Sequence, residues 1–335
     1  MLPAVTAPRP ARPASRSTTI RRIPKPIGLI LMIYEARPTV TVEGALLPVA
    51  TGNAVILRGG SEIARTAAVL AEFAAEAVTA AALPAGMVQV VTDPDRQLVR
   101  DLLRRPDAID ALIPRGSPAL IDYCQRSSAI AVIASGGGVN HLYVDRSADV
   151  GLAARIALDS KLTEPTACNT LEMVLAHTDI AGELVRALLG AGAAAGQGYQ
   201  LRLDPALLHL AGDAAARPLA GHDNGREFLD RTLGLRPVDG VEQAIAHIRE
   251  YGSGHTEGVV ARDPEVIKRF VAAVDAAALV VNSSLRLHDG PTMRLGPELS
   301  ISTGRLHVRG PVGLAALLTY SWVIESAGSL RGEAS

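Results

Sequence analysis

Apolar residues along this chain gather in short unbroken runs, separated by stretches with a helical period. The longest run, residues 27–34 (IGLILMIY), has the continuity of a strand buried on both faces. Residues 53–57, 87–91, 108–113 and 129–133 repeat the theme. Between them the pattern predicts helices over 62–82, 95–104 and 117–126, the first with Ser61 as N-cap and Glu62 as a favourable first-turn charge. Short apolar strands alternating with helices predict a parallel α/β sheet. Further on, helices over 148–161, 181–200, 241–251 and 264–274 accompany strands at 171–176, 259–260 and 279–281, a second α/β unit. Residues 1–19 carry four prolines, three arginines and no acid, and are expected to form a disordered tail.

A length of 335 residues fits two domains at about 150 residues each. Hydrophobic residues make up 48% and charged residues 20%, which is globular. Aromatics are only 3%, so the core is built from Ala, Val, Leu and Ile. A net charge of -1 gives no electrostatic case for nucleic acid or an anionic membrane. No apolar run reaches the roughly 18 residues of a membrane span. Two cysteines, Cys124 and Cys168, make no disulfide framework, and no CxxC or HxxxH pair offers metal ligands. The expectation is a soluble cytoplasmic protein without a metal.

Candidate chemistry lies in the turns. Arg58-Gly59-Gly60-Ser61-Glu62, Arg115-Gly116-Ser117 and Ser135-Gly136-Gly137-Gly138 each follow an apolar run. In a parallel sheet such turns share the carboxyl edge, where ligands bind, and helix starts at Ser61 and Ser117 offer N–H groups to a pyrophosphate. Glycine in any one turn equally serves only to make the bend, and no GxGxxG fingerprint is present. Cys168 sits between Thr166 and Asn169 in a polar loop, which suits a thiol nucleophile. By residue type alone, a lone cysteine is more often a small buried apolar group. Cys124, within a helical pattern, reads as that case.

The run PIGLILMIYEARPTVTVEGALLPVATGNAVILRGGSE (26–62) resembles the γ-glutamyl phosphate reductases (glutamate-5-semialdehyde dehydrogenases) of the aldehyde dehydrogenase superfamily. The likeness continues through DALIPRGSPALI, HLYVDRSAD, ACNTLEMVLAH, YGSGHTEGVV and LSISTGRLHVRGPVGL, collinear from about residue 20 to the C-terminus. It implies an aldehyde dehydrogenase-like α/β fold: a Rossmann-type cofactor domain (20–150), a catalytic α/β domain (151–280), and a C-terminal substrate loop and oligomerisation segment (281–335). It implies reduction of an acyl phosphate by NADPH through a cysteine thioester, as in proline biosynthesis. Cys168 in CNTLE matches the family's nucleophile, with Asn169 beside it. Arg58 to Glu62 and Arg115 to Ser117 match its cofactor edge. Lys161, His255 and Arg294 fall at substrate-side positions; His255 equally fits a structural turn, and Arg294 equally a solvated surface.

The sequence also departs from that family. YEARPN here ends in Thr39, where the superfamily's asparagine amide helps hold an oxyanion; Thr39 offers only a shorter hydroxyl. An arginine before the cysteine has become Glu164, an acid that disfavours a thiolate and repels an acyl phosphate. Ala134 replaces an acidic residue that a reductase, needing no attacking water, can lose. About the first quarter of the family's chain has no counterpart, so an apolar face is expected that a partner chain or a homo-oligomer would cover. The resulting expectation is an NADPH-dependent reductase of γ-glutamyl phosphate. Its rivals are a catalytically degenerate, partner-binding paralogue and a reductase of a modified or carrier-bound acyl group.

Overall fold

The computed structural model describes residues 12–15, 18–35, 37–194, 196, 198–212, 216–328 and 330. The chain forms two compact units, Met1–Ser135 with Arg294–Ser335, and Gly136–Met293.

The first unit begins with strands β1 (Arg12–Ser15) and β2 (Thr18–Pro26), which pair antiparallel. The expected tail therefore contains strand from residue 12, and residues 1–11 lie outside the described set. Then follow β3 (Leu29–Tyr34), α1 (Pro38–Ala50), β4 (Ala54–Gly59), a 3-10 turn and α2 (Ala64–Ala80). After them come β5 (Val88–Val90), α3 (Arg96–Leu102), β6 (Ala111–Arg115) and α4 (Pro118–Ser127). The order β5-β4-β3-β6 is parallel throughout. β3 is continuous in apolar residues because both its faces are buried: Ile30, Met32 and Tyr34 join one core, Leu31 and Ile33 the other. α1 lies close on this sheet at Gly44, where a Cβ would come within 2.9 Å of Leu57 and Met32. The expected strand at 129–133 is only a single bridge, Leu112 to Val132.

The second unit alternates β7 (Asn140–Val144), α5 (Val150–Leu162), β8 (Leu171–His177), α6 (Thr178–Ala194), β9 (Gln200–Leu203), β10 (Ala216–Pro218) and β11 (Thr232–Val238). It ends with α7 (Val241–Tyr251), β12 (Thr256–Val260), α8 (Pro264–Ala273) and β13 (Ala278–Val281). Its seven strands run parallel in the order β10-β9-β11-β8-β7-β12-β13, with every residue of central β8 buried. The unit therefore starts at residue 136, not 151, because β7 pairs with β8 and β12.

From residue 294 the chain belongs to the first unit again, so the expected separate C-terminal segment is divided between the two units. There β14 (Glu298–Ser302) pairs with β15 (Gly310–Gly313), and β16 (Leu318–Ser326) pairs with β2 over nine residues. Among the described residues, no helix is long and apolar enough to cross a membrane.

Candidate active site

In the second unit, α5 ends at Leu162 and β8 begins at Leu171, so residues 163–170 form a loop carrying Cys168. Two local backbone bonds, Ala167 N–H to Glu164 O (3.1 Å) and Thr170 N–H to Ala167 O (3.0 Å), tighten it. Cys168 is partly exposed, whereas Cys124 is buried. Burial raises the Cys124 thiol to about 11, the inert case expected of it.

A buried ion pair spans the base of this loop. Lys161 Nζ, on the last turn of α5, donates to Glu172 Oε2 of β8 at 2.7 Å. Lys161 was expected to face substrate, but its side chain is 0% exposed and its charge is met inside the protein. Burial pushes Glu172 up to about 8 and Lys161 down, each opposed by the partner's charge. The Glu164 carboxylate, in the loop itself, accepts from Thr166 Oγ1 at 2.7 Å and is exposed.

Behind the loop is a polar network. Asn169, buried, donates through Nδ2 to the carbonyl of His288 at 3.0 Å. The Thr256 hydroxyl lies 2.8 Å from His288 Nδ1 and 2.7 Å from His255 Nδ1, and can donate to only one of them. At least one imidazole thus carries its proton on Nδ1. His255 is fully buried, so this side chain meets Thr256 and not solvent. Burial lowers His255 to about 3 and His288 to about 4, and both rings are neutral near pH 7. Next to them, Glu257 accepts from the His141 N–H at 2.8 Å, and burial raises its carboxyl.

Asn140 was missed by sequence reasoning. Its buried amide donates to the carbonyls of Cys168 (2.8 Å) and Thr170 (2.7 Å) and accepts from Thr256 N–H (3.0 Å). Just before it, Gly138 lies so close that a Cβ there would stand 1.6 Å from the Cys168 carbonyl oxygen. Its own N–H donates to Glu227 at 2.9 Å. The 135–138 turn therefore serves the cysteine loop and not the cofactor edge expected of it. The available signal was an asparagine two residues after a glycine run, at the head of an apolar strand.

In the first unit, the other two glycine turns do share one carboxyl edge. Tyr34, the last residue of β3, registers with Gly59 on one side and Arg115 on the other. Gly60 is followed by exposed Ser61 and Glu62, and a Cβ on Gly60 would fall 2.1 Å from the Glu62 carboxylate. Ser61 caps no helix: residues 61–63 form a 3-10 turn without a side-chain cap, and α2 starts at Ala64. Arg58 folds back onto the carbonyls of Gly59 and Pro94, leaving a buried Nε without a partner. Ser117 does cap α4, accepting from Leu120 N–H at 3.3 Å. Its own N–H is held by the Glu35 carboxylate at 2.7 Å, so the anion site expected at Ser117 is filled by a protein acid beside Gly116. The turn after β6 thus already carries a protein carboxylate, whereas the turn after β4 presents exposed Ser61 and Glu62. Thr39 is exposed on the first turn of α1, and Arg294 is exposed with a φ of 58°.

Residues 6–205 match the model of the aldehyde dehydrogenase family. The chain is 43% identical over 310 residues to a gamma-glutamyl phosphate reductase of Dehalococcoides mccartyi, covering 92% of this chain and 73% of that protein. The chain belongs to the aldehyde dehydrogenase family. A gamma-glutamyl phosphate reductase of Chloroflexus aggregans is 44% identical over 311 residues, 91% of this chain and 72% of its own. The crystal structure of gamma-glutamyl phosphate reductase from Thermotoga maritima superposes with a TM-score of 0.91 at 33% identity, over 97% of this chain and 78% of that one. An acetylating aldehyde dehydrogenase from Geobacillus thermoglucosidasius shares the family fold, with a TM-score of 0.73 at 20% identity.

Proposed function

We propose that this chain is an NADPH-dependent reductase that converts γ-glutamyl phosphate, or a closely related acyl phosphate, to glutamate 5-semialdehyde. The observation that carries the reading is Cys168, partly exposed on a loop closed by a buried ion pair, in a chain 43% identical to reductases of that name. Cys168 as thiolate attacks the acyl carbon; a C–S bond forms, the C–O bond breaks, and phosphate leaves with the electron pair. NADPH, when bound, supplies the hydride that reduces the resulting thioester. Collapse of the thiohemiacetal breaks the C–S bond, returns the pair to sulfur and releases the aldehyde. Arg58, Gly59, Gly60, Ser61 and Glu62 would hold the dinucleotide at the carboxyl edge of β4. The acyl-transfer half is tested by incubation with acetyl phosphate and peptide mass spectrometry. An acyl group on Cys168 supports the reading, and a clean Cys168 with the fold intact sinks it.

Two surfaces support association. On β16, Tyr320, Trp322 and Ile324 alternate and are all exposed, an apolar stripe on an edge strand that a second copy would cover. Separately, α1 and α2 line an apolar groove of about 470 Å³, with Val42, Leu46 and Phe73 exposed. The same helices carry Glu43, Glu72 and Glu76 against one Arg65, so a second copy of this acidic face is repelled. Its occupant in this reading is an amphipathic helix with basic flanks, supplied by sequence equivalent to the part of the relatives outside the matched region. Adding the part of the Thermotoga maritima enzyme outside the matched region in trans should form a complex that Phe73→Glu abolishes; no complex removes this assignment.

A further inference from the structure

We infer that Asn140 is a positioning residue that sets the main chain of the nucleophile, an inference that rests on Cys168 being that nucleophile. Its amide is 0% exposed. Through one nitrogen it holds the carbonyls on both sides of Asn169, those of Cys168 and Thr170, at 2.8 and 2.7 Å. The same nitrogen lies 3.3 Å from the Gly138 carbonyl. Its oxygen accepts from Thr256 N–H at 3.0 Å and so ties the loop to the start of β12. A trans peptide points its C=O and N–H in opposite directions. Fixing the Cys168 carbonyl therefore also fixes where the Asn169 N–H points, away from Asn140.

Three further features fit this role. Gly138 has no room for a side chain against the Cys168 carbonyl, so the contact is built by the backbone on one side and the amide on the other. Asn169 is anchored independently on the far side, by its side chain on the His288 carbonyl. Lys161 and Glu172 fix the two ends of the loop by binding each other. Asn140, at the head of β7, reaches the cysteine peptide directly from the sheet. Leaving a buried carbonyl pair without donors, or facing them with a carboxylate, releases the turn.

Two variants separate positioning from general damage. Asn140→Asp keeps the shape but loses the donors, and Asn140→Ser removes the reach without adding charge. Each is read by hydrogen exchange over 163–170, by turnover of phosphate-dependent NADP⁺ reduction, and by hydrogen exchange over β11 of the same unit, which reports loss of fold. We expect exchange in 163–170 to rise at least 10-fold and kcat to fall at least 10-fold, with KM within 3-fold and β11 still protected. Unchanged exchange in 163–170, in a variant with β11 protected, overturns the inference whatever the turnover. Should the Asp variant lose protection in β11, the Ser variant decides on the same readouts. Wild-type protein without turnover counts against the reductase reading alone, and the exchange measurement still decides the role of Asn140.

Discussion

Lys161 shows how a residue type misleads when its surroundings are not visible. A lysine a few residues before a nucleophile fits an anionic substrate, yet here it faces inward to Glu172 at 2.7 Å. Breaking a buried pair by removing one partner leaves an uncompensated charge, a loss of about 3–5 kcal/mol. Lys161→Met should therefore lower the unfolding free energy by about that much in urea titration, and adding Glu172→Gln should recover most of it. Glu164 is different, since it is exposed in the same loop as Cys168. Glu164→Arg should speed iodoacetamide alkylation of Cys168 at neutral pH several-fold, read by peptide mass spectrometry with Cys124 as the unreactive control. The loop that carries Cys168 was legible from its polar residues. Asn140 and Gly138 were not, because their role is a contact across 28 or more residues of chain that spacing does not encode.

At the scale of elements, runs buried on both faces were the most readable. LILMIY and LEMVLAH form β3 and β8 because each alternate side chain finds its own core. α1 was not legible: PTVTVEGALLPVA is rich in β-branched residues and holds Pro48, and its helix is secured by packing on Met32 and Leu57 through Gly44. β2 and β16 were missed because TTIRRIPKP and LTYSWVIES mix polar and apolar residues, half-buried or exposed, and gain their order from pairing over nine residues. Caps divided by chemistry. Ser117 caps α4 and Ser61 caps nothing, so Ser117→Ala should cost about 1 kcal/mol in urea unfolding while Ser61→Ala leaves stability within error.

For the whole molecule, three buried neutral histidines set its response to acid. Burial lowers His247 to about 3, His255 to about 3 and His288 to about 4, against 6.5 for the free side chain. Below pH 6.5 the unfolded chain takes up protons that the folded one refuses, so stability present above pH 6.5 is lost as pH falls toward 4 and 3. Each costs about 2 kcal/mol at pH 5, or about 6 kcal/mol together as an upper bound, comparable with the total stability of many domains. The carboxyls of Glu172 and Glu257, raised by burial, act in the opposite sense. The histidine contribution is therefore isolated in His247→Gln, which should lose about 2 kcal/mol less than the wild type between pH 7 and pH 5 in urea titration; equal losses would contradict the buried neutral placement of that ring. The two-unit plan was readable from two successive α/β patterns. Its boundary was not, because β7 joins the second sheet and β16 pairs back with β2.

In the proposed reaction Cys168 carries an acyl group between phosphate and a nicotinamide cofactor. The most direct measurement is the reverse reaction, NADP⁺ reduction in the presence of pyrroline-5-carboxylate, with and without inorganic phosphate, in the wild-type chain and in Cys168→Ala. Reduction should require phosphate and disappear in the alanine variant. Reduction that persists in Cys168→Ala, or no reduction by a folded chain that binds NADP⁺, would contradict the proposed reaction.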